Sequence, residues 1–290
     1  MRRGDAAGRS GGWQLSEIDA TYRTEERAEA ERHDRLYRST RPSTLEMAPS
    51  DWEKFATLDV VTHAYHASIK RLGDVRGLCV LDAGCGDGWL SVILAKLGAR
   101  VEGFDISREA VTTARRRAEQ NRTTSVTRFE VASFYALPYP DASFDAVIGQ
   151  AILHHVKDKP RAAEQLHRVM RAGARAVFCE PFGDSLWLER LRLLVPVPSS
   201  TPDDPTQWKE QFKYRDLEAF KGLFDIRIEE FQLLSRLDRV VSWPRFVGWL
   251  GRVDRRLLKR IPWLRRYARD VVIELTRRGA EPGAGGARGA

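Results

Sequence analysis

The chain has 290 residues, 42% of them hydrophobic and 30% charged, a balance that fits a globular protein of one large or two small domains with a full core. No apolar run reaches membrane-spanning length, no apolar stretch follows Met1-Arg2-Arg3-Gly4-Asp5, and the three cysteines form no Cys-x-x-Cys pair. These features exclude a transmembrane helix, a secretory leader, a structural zinc site and a disulfide framework from the expectation, which is a reduced, cytoplasmic setting.

The net charge of +8 is uneven: residues 239–278 hold twelve basic side chains against Asp254, Asp270 and Glu274, which leaves the remainder near neutral. Residues 1–12 are rich in glycine and arginine and read as a disordered tail, as do residues 279–290. Residues 13–75 read as an N-terminal helical cap, with helices over 23–38 and 55–69. His33 and Tyr37 lie one turn apart on the first helix, so they can face one ligand together. The competing reading is a solvated helix with one packed aromatic. His63 and His66 read as helix-surface residues.

Leu78-Cys79-Val80-Leu81 is a short apolar run suited to a central parallel strand. Cys79, like Cys179 further on, reads as a small buried hydrophobe. Asp82-Ala83-Gly84-Cys85-Gly86-Asp87-Gly88 follows, with Gly84 and Gly86 giving tight turning and close backbone approach to a ligand. Residues 89–97 have helical spacing and stop at Gly98. Residues 101–105 form a second strand that ends on Asp105, 21 residues after Gly84, where an acidic side chain holds a ribose diol. A dinucleotide fingerprint wants a third glycine where Trp89 stands. Asp82 would repel a pyrophosphate and attract an ammonium, so the ligand reads as a nucleoside with a cationic tail and no phosphates.

With these residues in place, the chain resembles the class I S-adenosylmethionine-dependent methyltransferases, small-molecule subgroup. The loop from Asp82 to Gly88 is similar to their first motif and Asp105 to their ribose-gripping acid. Leu137-Pro138-Tyr139-Pro140-Asp141-Ala142-Ser143-Phe144-Asp145 resembles the lead into the fourth strand, and Ala146-Val147-Ile148-Gly149-Gln150 that strand. Leu153-His154-His155 resembles a pair found in the quinone and small-molecule subgroup. Arg171-Ala172-Gly173-Ala174 with Val177-Phe178-Cys179-Glu180-Pro181 resembles the next turn and the fifth strand. The likeness runs over about residues 76–182.

The resemblance implies S-adenosylmethionine as cofactor and a Rossmann-like α/β fold: a seven-stranded, mostly parallel sheet with helices on both faces and an antiparallel last strand. It implies cofactor contacts from Asp82, Gly84, Cys85, Gly86, Asp105 and Ile106, with Ser133, Phe134 and Gln150 around the adenine and the methyl-bearing end. Cys85 is expected to fill space in its loop. Ser133 departs from the family, which commonly has Asp there. N-terminal helices in this family often close over the cofactor.

The methyltransferase domain is expected over residues 76–278, with cap insertions at about 182–213 and 235–268. Residues 186–195, with Trp187, are strongly apolar. Residues 216–224 read as a helix, 225–234 as the sixth strand and 270–276 as the seventh. About 35 residues replace the usual tight hairpin between these last strands. A parallel sheet binds ligands at the carboxyl ends of its strands, so the insertion is expected above the active site. It mixes Trp243, Phe246, Trp249 and Trp263 with arginines, and Pro262 starts a short second helix. Three readings stand: a cap with a solvated basic face, peripheral contact of 239–269 with an anionic membrane on its inner surface, or nucleic acid. No recognisable RNA-binding module supports the last, and no stable protein partner is inferable.

Methyl transfer from a sulfonium is an in-line displacement that depends on alignment. No carboxylate and histidine spacing demands a metal. A hydroxyl nucleophile benefits from a general base, and His154 and His155 stand first as candidates, followed by Glu180 as base or orienting group. Each also has a structural reading: packing or capping the next helix. The functional expectation is transfer of a methyl group to a small, lipophilic or anionic acceptor, by O-methylation. The alternatives are C-methylation of a quinone-like ring, and a non-catalytic cofactor-binding or membrane-associated module.

Overall fold

A computed structural model describes residues 20–39, 44–57, 64–185, 211–235 and 243–279. The expected tail at 1–12, all of the expected tail at 279–290 but its first residue, and the apolar stretch 186–195 lie outside the described residues.

Three helices come first, α1 (Ala20–Ser39), α2 (Pro49–Thr57) and α3 (Ala64–Leu72). The sheet then alternates with helices: β1 (Cys79–Ala83), α4 (Trp89–Lys96), β2 (Arg100–Asp105), α5 (Arg108–Gln120), β3 (Thr127–Val131), β4 (Phe144–Gln150), α6 (Lys159–Val169) and β5 (Met170–Pro181). After these come β6 (Phe224–Phe231), α7 (Pro244–Arg260), a 3-10 turn at Pro262–Tyr267, and β7 (Asp270–Arg277). The seven strands are ordered β3-β2-β1-β4-β5-β7-β6. β7 runs antiparallel between β5 and β6, and the pairs among β1 to β5 are parallel.

The apolar strands follow from burial on both faces. Val80, Ile148 and Val177 point into a core shared with α3 and α4. Their neighbours Leu81, Val147 and Phe178 point the other way, into a core with α6, Phe144 and Phe224. Burying each such side chain stabilises by roughly 1.5–3 kcal/mol. The chain order turns back between β1 and β4, and this switch point opens a crevice at the strands' carboxyl ends.

Two helices are placed by single carboxylates. Asp34 on α1 accepts hydrogen bonds from Ser107 Oγ (2.6 Å) and Glu109 N (3.1 Å), so α1 caps the start of α5 and lies over the crevice. Asp254 on α7, 2% exposed, accepts from the backbone N of Leu233, Leu234 and Ser235 and from Ser235 Oγ. That places α7 against the end of edge strand β6. The insertion was expected above the crevice. Because β7 inserts between β5 and β6, the connection leaves from the outermost strand, and α7 packs beside the sheet. The stretch expected as a helix over 216–224 is a shorter 3-10 turn, Tyr214–Phe220.

Candidate active site

The crevice holds a cavity of about 430 Å³, within the roughly 300–1,000 Å³ range of small-molecule sites. Gly84, Gly86, Asp105, Ile106 and Phe134 line one part of it, and His33, Tyr37, Gln150, Ala151, Ile152, His154 and His155 another.

The glycine loop is shaped for close approach. Gly84 has φ 69°, and a Cβ there would lie 2.7 Å from Ile152 Cδ1; Gly86 has φ 52°, and a Cβ there would lie 2.5 Å from Tyr37 Oη. Asp105 fixes the loop from below: Oδ2 accepts from Gly86 N at 3.0 Å and Oδ1 from Ser107 N at 2.9 Å. Burial pushes the Asp105 carboxyl up, against those two hydrogen bonds. Asp87 pairs with Arg117, which also donates to the Asp87 carbonyl.

Asp82 sits differently from the sequence expectation. It is 2% exposed, accepts from Ser91 Oγ, and lies beneath the loop, away from the cavity wall. Burial first, then the nearby Asp105 and Asp87 charges, push its carboxyl up to about 7. Cys85 packs with Val111, Ala114, Ala118 and Phe129 beneath α5, so its side chain fills space away from the wall. Ser133 is also off the wall, donating to Glu26 on α1 and accepting from Tyr135 N.

Gln150 supplies an unmet acceptor. Its Nε2 donates to Ser68 Oγ, while its buried Oε1 has no partner. An orphaned buried acceptor costs roughly 1–3 kcal/mol unless a ligand donor meets it. Of the carboxylates near this loop, Asp105 lines the cavity, while Asp87 is paired with Arg117 and Asp82 lies beneath. Asp105 together with the free Gln150 acceptor suits a nucleoside whose tail carries ammonium and sulfonium charges. The residues present therefore fit S-adenosylmethionine, with Asp105, Phe134 and the glycine loop toward its nucleoside and Gln150 toward its cationic end.

The histidines face this cradle. Ala151, at φ 53°, turns the chain sharply after β4 and starts the segment that carries them. Glu180, fully buried, locks that segment: it accepts from Ile152 N, Leu153 N, His154 N and, at 2.7 Å, His154 Nδ1. Its oxygens are engaged and out of the cavity, so its place is to position His154 and not to touch an acceptor. His155 Nδ1 lies 3.0 Å from Glu29 Oε1 on α1, close enough to pair with an imidazolium though not aligned as a hydrogen bond. Burial lowers the His155 pKa, opposed by Glu29. The Glu29 carboxyl is pushed up by burial, but His155, His33 and Arg32 outweigh this and hold it well below the usual range.

Glu29 is the residue that sequence reasoning missed. Its spacing to His33 was visible on one helix face, but His155 arrives from a distant loop. Glu29, His33 and His155 bring ligand atoms within 4.8 Å of one another, a spacing a metal ion can bridge. Arg32 Nη2 lies against two of these groups, Glu29 Oε1 and, at 3.0 Å, His33 Nε2.

Residues 81–178 match the family model described as a methyltransferase domain. O-methyltransferase rstn1 of Aspergillus nomiae is 32% identical over 137 residues, 47% of this chain and 61% of that protein. The 2-methyl-6-phytyl-1,4-hydroquinone methyltransferase of Synechocystis sp. is 30% identical over 200 residues, 68% of this chain and 59% of that protein. The chain spans about half the length of the curated relatives it matches. In fold it is similar to geranyl diphosphate C-methyltransferase from Streptomyces coelicolor A3(2), with TM-score 0.55 and 16% identity over 86% of this chain and 97% of that one.

Proposed function

Because this chain carries a class I S-adenosylmethionine-dependent methyltransferase domain, we propose that it methylates an oxygen of a small organic acceptor that is lipophilic or anionic. The observation that carries this reading is the shared cavity, with the glycine loop and Asp105 in one wall and His155, backed by Glu29, in another.

S-adenosylmethionine, when bound, supplies an electrophilic methyl group on a good leaving group. The protein's work is alignment, exclusion of water and removal of one proton. Phe134, Ile152 and Val156 give the cavity apolar walls, and α1 covers it. His155, kept neutral by burial, takes the acceptor's hydroxyl proton on the ring nitrogen that Glu29 does not face. The ionised Glu29 then stabilises the imidazolium, following the logic of a base oriented by a third group. His154, tied to Glu180, holds the segment in place.

The same base would make a phenol's ring carbon nucleophilic, so the acceptor's pose decides between oxygen and carbon. The test is labelled methyl transfer to a panel of phenols, hydroquinones and hydroxy acids, with the methyl carbon located by NMR. Transfer to oxygen, reduced at least about a hundredfold in His155→Ala, is the expected result. A methyl group on ring carbon would move the reading to the quinone type. Cofactor binding without turnover on any acceptor class would support a non-catalytic module.

A further inference from the structure

We infer that the segment from Trp243 to Tyr267 is a docking surface for an anionic lipid bilayer. It goes beyond the proposed transfer, and it stands on features that transfer does not use.

Two parallel stripes run along α7. Val247, Leu250, Asp254 and Leu258 are buried; Asp254 caps the chain after β6 and Leu258 lies beside Ile228 and Glu229 of β6. One residue behind each lies Phe246, Trp249, Val253 and Leu257, an apolar stripe left partly open. Trp243 and Trp249 are 62% and 50% exposed, and each stacks on Phe246 with centroids 5.8 Å apart. In the following 3-10 turn, Trp263 is 65% exposed. An amphipathic helix needs one apolar face to fold against its own domain; a second one, ending in tryptophans, has no such use.

Charge commits the occupant. Residues 244–267 carry eight basic side chains and one acid, Asp254, which is buried in its cap. Arg252, Arg256, Lys259 and Arg260 are exposed beyond the apolar stripe. Tryptophans at the level of lipid headgroups, an apolar stripe below them and basic residues against anionic phosphates form the pattern of an interfacial helix. Nucleic acid would use the basic residues but leaves the Phe246, Val253 and Leu257 stripe without a partner.

The surface also sits at the right edge. The 3-10 turn ends just before Asp270, which pairs with Pro181 of the cavity wall, and Phe182 N donates to Arg269 O. A bilayer held by this turn lies on the sheet edge where the cavity opens, which suits delivery of a lipophilic acceptor.

The test is co-sedimentation of the full chain, without cofactor or acceptor, with vesicles of phosphatidylglycerol and phosphatidylcholine in equal parts. Vesicles of phosphatidylcholine alone and a fluorescent single-stranded RNA are the comparisons. The expected result is binding to the anionic vesicles that weakens with salt. It should fall at least about tenfold both in Trp243→Ser/Trp249→Ser/Trp263→Ser and in Arg252→Gln/Arg256→Gln/Lys259→Gln/Arg260→Gln. Circular dichroism and calorimetric cofactor binding, unchanged in both variants, would show that the domain is folded and separate this outcome from the proposed transfer. No vesicle binding, equal binding of both vesicle types, undiminished binding by the tryptophan variant, or RNA binding in place of vesicle binding would overturn the proposal.

Discussion

At the scale of single residues, buried acids and histidines set the predictions. Asp105 holds two backbone N–H groups with an ionisable carboxylate, and charge-assisted hydrogen bonds are worth about 1.5–3 kcal/mol each. Asp105→Ala should weaken S-adenosylmethionine binding about a hundredfold or more by calorimetry; unchanged affinity would remove it from the site. Asp82 should titrate in the opposite sense from an ordinary carboxylate. Its folded pKa, pushed up to about 7, lies above the usual 3.8, so its favourable contribution is complete below pH 3.8 and is lost as pH rises through about 7. Asp82→Asn, with the Ser91 contact retained, should therefore raise Tm at pH 8 and change it little at pH 4. A lower Tm at pH 8 would contradict the assignment.

His155 has its folded pKa below the ordinary 6.5, because burial disfavours the imidazolium. The unfolded chain binds the proton more readily, so the native state loses stability as pH falls below 6.5. For the reaction, kcat/KM should have an acid limb below pH 6.5, absent in His155→Gln. Persistence of that limb in the variant would assign the base elsewhere.

At the scale of elements, α1 acts as the lid and Asp34 as its latch. Asp34→Ala removes the acceptor for Ser107 Oγ and Glu109 N, at a cost of roughly 1–3 kcal/mol in docking. Hydrogen exchange should show α1 opening faster and S-adenosylmethionine binding weakening, with the sheet unaffected; equal protection of α1 would show that the latch is elsewhere. Asp254 latches α7 to the chain after β6 in the same way.

These latches mark where sequence reasoning stopped. Alternating glycine turns, apolar runs and acidic strand ends displayed β1, β2, β4 and β5, and the late apolar run displayed β7, because each signal is local; β3 carried no such signal. The positions of Asp82 under its loop and Glu180 behind its histidine were not legible, since each depends on a side chain turning away from the cavity. Glu29 with His155 joins residues far apart in sequence, and α7 beside β6 turns on one acid, Asp254, in an otherwise basic helix. The inward face of a charged helix is decided by what it lands on.

At the scale of the whole molecule, the strand order builds one sheet edge that carries both the cavity and, beside it, the start of β7 below the basic turn. The glycine loop, the α1 lid and the histidine segment converge there because each follows or covers a strand's carboxyl end. Their arrangement is what makes a nucleoside with a cationic tail the ligand this cavity fits, with the Asp105 carboxylate and an unmet Gln150 acceptor in its wall and no third glycine for a pyrophosphate. The measurement that tests this most directly is calorimetric titration of the full chain with S-adenosylmethionine and, separately, with NAD, on the wild type and on Gly84→Ala. The account predicts binding of S-adenosylmethionine alone, abolished by the Cβ that meets Ile152. Binding of NAD, or S-adenosylmethionine affinity undisturbed by that substitution, would contradict it.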